Sequence, residues 1–179
     1  MSFLIPSIVE GHGDVQAVPV LLRMIDPTLQ IARPVRFPRN QLMKEDQLVR
    51  AAMIAAANIA DQGGILLVMD ADEDCAARLG PKLERQLSGP FPNRICRVAL
   101  AVREFEAWII GGDPAYGIDD ADRAGQLKER ISQRMGIYKE TVDQPKLIAA
   151  ANLSSLQQRS RSFRRLTKIV REFTAAANS

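Results

Sequence analysis

The chain has 179 residues, and 24 lysines and arginines against 21 aspartates and glutamates give a formal net charge of +3. That length suits about one domain, and 46% hydrophobic with 25% charged residues excludes a disordered, collagen-like or disulfide-stapled chain. Two cysteines (Cys75, Cys96) and one histidine (His12) exclude Cys/His zinc sites and two-histidine metal chemistry, so any metal must be held by carboxylates, which points to Mg²⁺ or Mn²⁺.

The two thiols read as small buried hydrophobes in a reducing cytoplasm. No basic region precedes the first apolar residues, so no targeting signal is visible. The longest apolar stretch, residues 51–60, contains Asn58 and falls short of the ~20 residues of a membrane span. A cytoplasmic chain without a membrane partner is expected.

In chain order, residues 3–9 read as a short apolar strand with Pro6 marking an edge or irregular start. A turn, Glu10-Gly11-His12-Gly13-Asp14, follows. Asp14 is placed as N-cap of a helix with Val15, Val18, Leu22 and Ile25 at helical spacing, Pro19 inside it and Pro27 beyond its end. Residues 33–38 read as a second strand. Residues 41–61 read as the clearest helix, with Leu42, Val49, Met53, Ala56 and Ala60 along one face and Gly63-Gly64 after it. Residues 65–69 lack polar alternation, as a central strand buried on both faces does, and deliver Asp70-Ala71-Asp72-Glu73-Asp74 at the carboxyl end. A helix over 76–87 and a strand over 95–102 complete an α/β pattern with a four-stranded parallel sheet flanked by helices. Residues 104–110 read as a helical turn carrying Glu104, Glu106 and Trp108, with Trp108 as core; 111–122 read as a loop. Helices are expected at 123–135, 144–151 and 162–176. The organisation is then an α/β core over 1–110 and a helical C-terminal extension over 111–179 packed on the same domain.

Open parallel sheets place their sites outside the carboxyl ends of the strands. Glu10 follows the first strand, and Asp70 with Asp72 the third. Carboxylates clustered without basic partners repel one another, and a divalent cation is the usual compensation. Glu10, Asp70 and Asp72 are therefore the candidate site. Glu73 and Asp74 read better as loop solvation, Asp74 remaining a further candidate ligand together with Glu104 and Glu106, which could equally be first-turn helix acids.

A first strand ending in Glu10-Gly11 and a later apolar strand ending in Asp70-Ala71-Asp72 resemble the Toprim domain of topoisomerases, bacterial primases and overcoming-lysogenization-defect nucleases. Most of the chain also resembles a small bacterial family of Toprim-like proteins with no assigned reaction. The matching stretches are Val9-Glu10-Gly11-His12-Gly13, Asp70-Ala71-Asp72, Arg103-Glu104-Phe105-Glu106-Ala107-Trp108, Gln144-Pro145-Lys146 and Arg159-Ser160-Arg161-Ser162-Phe163. One departure is that no glycine closely follows Asp72. The resemblance implies a Toprim-like, Rossmann-like fold, Mg²⁺ on Asp70 and Asp72, Glu10 as general acid or base, phosphodiester cleavage or transfer on nucleic acid, and a partner ATPase in defence or repair. A non-catalytic nucleic-acid or protein-binding module is the alternative.

Other motifs fail. The dinucleotide fingerprint lacks its third glycine, and an EF-hand is contradicted by Cys75 and Pro81 at its glycine and final glutamate positions. A last feature is basic. Arg159, Arg161, Arg164, Arg165, Lys168 and Arg171 occur with no acid among them, while Leu166, Ile169, Val170 and Phe173 give the same helix an apolar face. Such a face suits phosphate contacts, with Arg33, Arg36 and Arg39 as a weaker second cluster.

Overall fold

The computed structural model describes residues 3–57, 59 and 63–179. Pro6 has no N–H to give to a ladder, and it splits the first apolar stretch into β1 (Leu4–Ile5) and β2 (Ser7–Val9). The next stretch is split likewise into β3 (Gln30–Ile31) and β4 (Val35–Arg36). β1 pairs with β3 and β2 with β4, all parallel. With β5 (Gly64–Asp70) and β6 (Ile95–Ala101) the main sheet is parallel and four-stranded, in the order β4-β2-β5-β6.

The helices are α1 (Asp14–Ile25), α2 (Arg39–Leu42), α3 (Glu45–Ala57), α4 (Ala76–Ser88), α5 (Glu106–Gly112), α6 (Leu127–Met135), α7 (Glu140–Ala149), α8 (Leu153–Arg159) and α9 (Arg161–Ala177). Short 3-10 turns lie at Pro114–Tyr116 and Ala121–Arg123. The apolar run of β5 is explained by its cover. Leu66 and Val68 pack in one core with Val18 and Leu22 of α1, Trp108 of α5 and Phe173 of α9, while Ile65, Leu67 and Met69 pack with Ala51 and Ala55 of α3 and Leu83 of α4. Ile148, Leu156 and Phe163 join the first of these cores, so the C-terminal helices share it with the sheet. Among the described residues no helix is long and apolar enough to cross a membrane.

Several expectations are corrected. The helix expected over 41–61 is two helices broken after Leu42, and its end at Asn58 and 60–62 lies outside the described residues. Its buried stripe is Leu48, Ala51, Ala52 and Ala55, not Val49, Met53 and Ala56; Met53 is 53% exposed. An alanine-rich helix carries two overlapping apolar stripes, and the small side chains of this one let it lie close on the sheet. Asp14 is the first residue of α1 rather than its cap. α5 runs into the stretch read as a loop, α6 begins four residues later than expected, α7 begins at Glu140, and α8 was not foreseen. Cys96 is buried, but Cys75 is exposed at the start of α4.

The aromatic anchor of the shared core is Phe173, fully buried and 6.3 Å from the ring of Phe3. Phe173→Ala is expected to lower unfolding stability by about 3–5 kcal/mol in urea titrations, since it removes a ring where α9 closes over the sheet.

Candidate active site

The chain runs from β2 outward to β4, then crosses back to β5 and on to β6. The order therefore reverses between β2 and β5, and the crevice beyond their carboxyl ends is where such sheets bind ligands. Glu10 leaves β2 there, and Asp70 is the last residue of β5.

After β2 the chain turns tightly. The Gly11 N–H donates to Asp14 Oδ2 at 2.8 Å, and a Cβ on Gly11 would sit 2.9 Å from that oxygen. A Cβ on Gly13 would overlap Gln144 Oε1 and approach the Glu140 carbonyl oxygen to 2.8 Å. Both positions need glycine for close approach rather than for special dihedrals. Gln144 Nε2 donates to Asp14 Oδ1 at 3.2 Å, which fastens α7 to the first turn of α1. This gives Gln144, in a matching stretch of the sequence, a positioning role.

After β5 the main chain stays tied to the end of β6: Ala71 N–H donates to Ala101 C=O at 2.8 Å and Asp72 N–H to Arg103 C=O at 2.9 Å. Asp72 (φ 49°) and Arg103 (φ 64°) both lie in the left-handed region, a conformation sparsely used by non-glycine residues and concentrated at functional loops.

The dominant charge in the crevice is a cation not foreseen there. Arg39, at the start of α2, donates to the main-chain carbonyls of Asp70 (2.5 Å) and Ala71 (3.4 Å). It also pairs with Asp74 (2.6 Å), Asp72 (3.1 Å) and, more distantly, Glu10 (3.9 Å). The expectation that the strand-end acids lack a basic partner is thus corrected, and so is the grouping of Arg39 with an outward basic cluster. Its guanidinium turns inward because a planar fork of donors satisfies carbonyls and carboxylates together. A signal was available: Arg39 follows the strand beside β2 by three residues, on the same end of the sheet.

Arg39 reaches Asp70 only through its main chain. The Asp70 carboxylate has no hydrogen bond or ion pair among the described residues and is largely buried. Burial raises its pKa well above the usual range, and the charges of Asp14, Glu106, Glu10 and Asp72 raise it further. Burial also raises Glu10, helped by Asp72 and Asp14 and opposed by Arg39, and leaves Glu10 Oε2 enclosed without a hydrogen-bond partner. Asp14, 6% exposed, is raised by burial against its two hydrogen bonds. Four acids therefore press on Asp70 from α1, α5 and the ends of β2 and β5.

Glu106 is buried in the first turn of α5. Burial lifts its carboxyl to about 7, opposed by Lys128 and by the Tyr138 hydroxyl, which donates to Oε1 at 2.8 Å. Lys128 pairs with Glu140 at 2.6 Å and with Glu104 at 3.8 Å, so Glu104 is a surface ion-pair partner. Lys128 and Tyr138 escaped the sequence reading because nothing in 111–179 reveals which strand end it covers. Trp108 lies in the core, its Nε1 donating to Ser162 Oγ at 2.9 Å.

Among the described residues no group of three or more His, Cys, Asp or Glu is arranged to hold a metal ion. Arg39 holds Asp72 and Asp74 to its own side, while the Asp70 carboxylate stands free of it. On α9 and before it, the expected basic residues are unequal. Arg159 Nη1 is buried without a hydrogen-bond partner, Arg164 donates to the Gln157 (2.6 Å) and Gln158 (3.3 Å) carbonyls, and Arg165 pairs with Glu84 at 3.5 Å. Arg161, Lys168 and Arg171 are exposed. Comparison with family models, curated proteins and solved structures returned no match to this chain.

The acid cluster sets a pH dependence. A carboxyl raised to about 7 in the fold and near 4.5 when unfolded favours the fold while protonated; its contribution is full below about 4.5 and is lost as pH rises through 7. In metal-free buffer, Glu106→Gln is expected to flatten the fall of unfolding stability between pH 4.5 and 7, by up to about 3 kcal/mol. Denaturant titrations across that range check it.

Proposed function

We propose that the crevice between the ends of β2 and β5 binds Mg²⁺ or Mn²⁺ and acts on nucleic-acid phosphodiesters, in the manner of the Toprim domains its motifs resemble. The observation that carries this reading is the Asp70 carboxylate, unpaired among the described residues, largely buried and surrounded by acids at the point where the strand order reverses. The donor chemistry suits a hard divalent cation, because it is all carboxylate oxygen and includes Glu10 Oε2, enclosed without a hydrogen-bond partner; among the described residues no three of these acids are arranged around one ion as they stand. Asp70 and Glu10 would hold the ion, and Asp72 would join them once released by Arg39. A bound divalent cation supplies charge neutralisation on phosphoryl oxygens. The chain's own residues do the rest. Glu10, with its pKa raised, takes or gives a proton at the reacting oxygen. Arg39 pairs with Asp72 and Asp74 and ties the β5 turn to the sheet end. The exposed cations of α9, led by Arg161 and Lys168, offer sequence-independent phosphate contacts. A partner ATPase would deliver or open the substrate.

One observation favours a second reading. Arg39 already neutralises Asp72 and Asp74, as in a non-catalytic module whose acids are structural.

End-labelled DNA and RNA, single- and double-stranded, incubated with Mg²⁺ or Mn²⁺ separate the two. Cleavage that needs the metal and falls at least about a hundredfold in Asp70→Asn and Glu10→Gln is the expected result. Oligonucleotide binding without cleavage, unchanged by either substitution, would establish the module instead.

A further inference from the structure

An apolar recess lies away from the acid crevice, along the free edge of the sheet. β6 is the terminal strand, paired only with β5. Beside its open edge is a cavity of about 650 Å³. Ala76, Ala77, Gly80 and Pro81 of α4 form one wall, and Arg123, Arg161 and Arg165 stand on the other. Val98, Leu100 and Val102 lie along the floor.

The floor presents main chain. Ala101 C=O accepts from Ala71 N–H, so alternate residues of β6 face β5. Val98 has the opposite parity, and its N–H turns outward to Glu84 Oε2 at 3.0 Å. By strand alternation Leu100 turns its N–H outward too, whereas Val102 lies in the bend after the strand, where its carbonyl accepts from Glu104 N–H. A carboxylate blunting one position of an edge is a common protection against unwanted pairing; here it covers Val98 and leaves Leu100.

We propose that this edge docks an extended segment of a partner protein in which small apolar and acidic side chains alternate. A strand added to β6 places successive side chains on opposite faces. One set would meet the apolar wall of α4, and the other the arginines. Charge selects the acidic set: Asp122, also at the recess, is consumed by Ser160 Oγ and by the N–H and Oγ of Ser162. Among the described residues Arg161 has no hydrogen-bond or ion-pair partner, and Arg165 meets only Glu84, at 3.5 Å. Charge also disfavours a second copy. A continuous sheet formed by two β6 edges has its twofold axis perpendicular to the sheet, which would set α9 beside α9 and arginine against arginine.

The probe is a fluorescein-labelled heptapeptide alternating Val and Glu, titrated into the full chain and followed by anisotropy. Saturable binding is expected, lost when Lys replaces Glu or when alternate peptide amides are N-methylated. The double substitution Arg161→Glu, Arg165→Glu should weaken binding at least about tenfold and create binding to the Val/Lys peptide, whereas Arg50→Glu on exposed α3 should change nothing. Circular dichroism confirms that each variant folds. No saturation up to about 1 mM, or equal binding by the charge-reversed protein, overturns the proposal. A dimer in sedimentation that the same substitutions abolish overturns it in favour of a second copy. An oligonucleotide that loses affinity in those variants, while the peptide binds none of them, returns the arginines to a nucleic-acid face.

Discussion

One guanidinium organises the end of the sheet. Arg39 leaves the strand beside β2, crosses to the end of β5, and bonds two main-chain carbonyls there while pairing with carboxylates from both strand ends. Its main-chain contacts hold the Asp70–Asp74 turn in place, and its ion pairs draw Asp72 and Asp74 outward. The price of that arrangement is an electrostatic division of the crevice, with the outer acids neutralised and the inner ones not.

The inner acids face a simple choice. A half-buried carboxylate among like charges either takes up a proton or receives a cation. Glu106 has a donor in Tyr138 and a nearby ammonium in Lys128, and it titrates near neutrality. Asp14 is held by Gly11 and Gln144. Among the described residues the Asp70 carboxylate has neither donor nor counter-ion, although burial and its acidic neighbours raise it well above the usual range. A structural role explains the first two acids well and the third poorly. The proposed cation site rests on this asymmetry more than on the number of acids.

Much of this was legible in the sequence, for physical reasons that can be named. β5 announces itself because burial on both faces removes polar alternation, and Glu10 and Asp70 are found because parallel strands present their last residues to one crevice. The stripe of α3 was misread because alanine scarcely distinguishes an inner from an outer face. Asp14 passed for a helix cap because its residue type suits both that role and the turn bond it makes to Gly11. Arg39, Lys128 and Tyr138 were missed because their roles depend on long-range packing, which no local periodicity encodes. The recess along β6 is likewise a product of assembly: Val98 and Leu100 are ordinary strand residues, and only their terminal position, with α4 and α9 on either side, makes a groove.

The cation assignment rests on Asp70, and its most direct test is binding rather than turnover. Mn²⁺ titrated into the metal-free protein, with free ion followed by electron paramagnetic resonance, counts sites without any substrate. The expected result is one site, lost in Asp70→Asn and tightened in Arg39→Gln, which frees Asp72 and Glu10 to join it. Absence of a site in both the wild-type chain and Arg39→Gln, or a site that survives Asp70→Asn unchanged, would contradict the assignment.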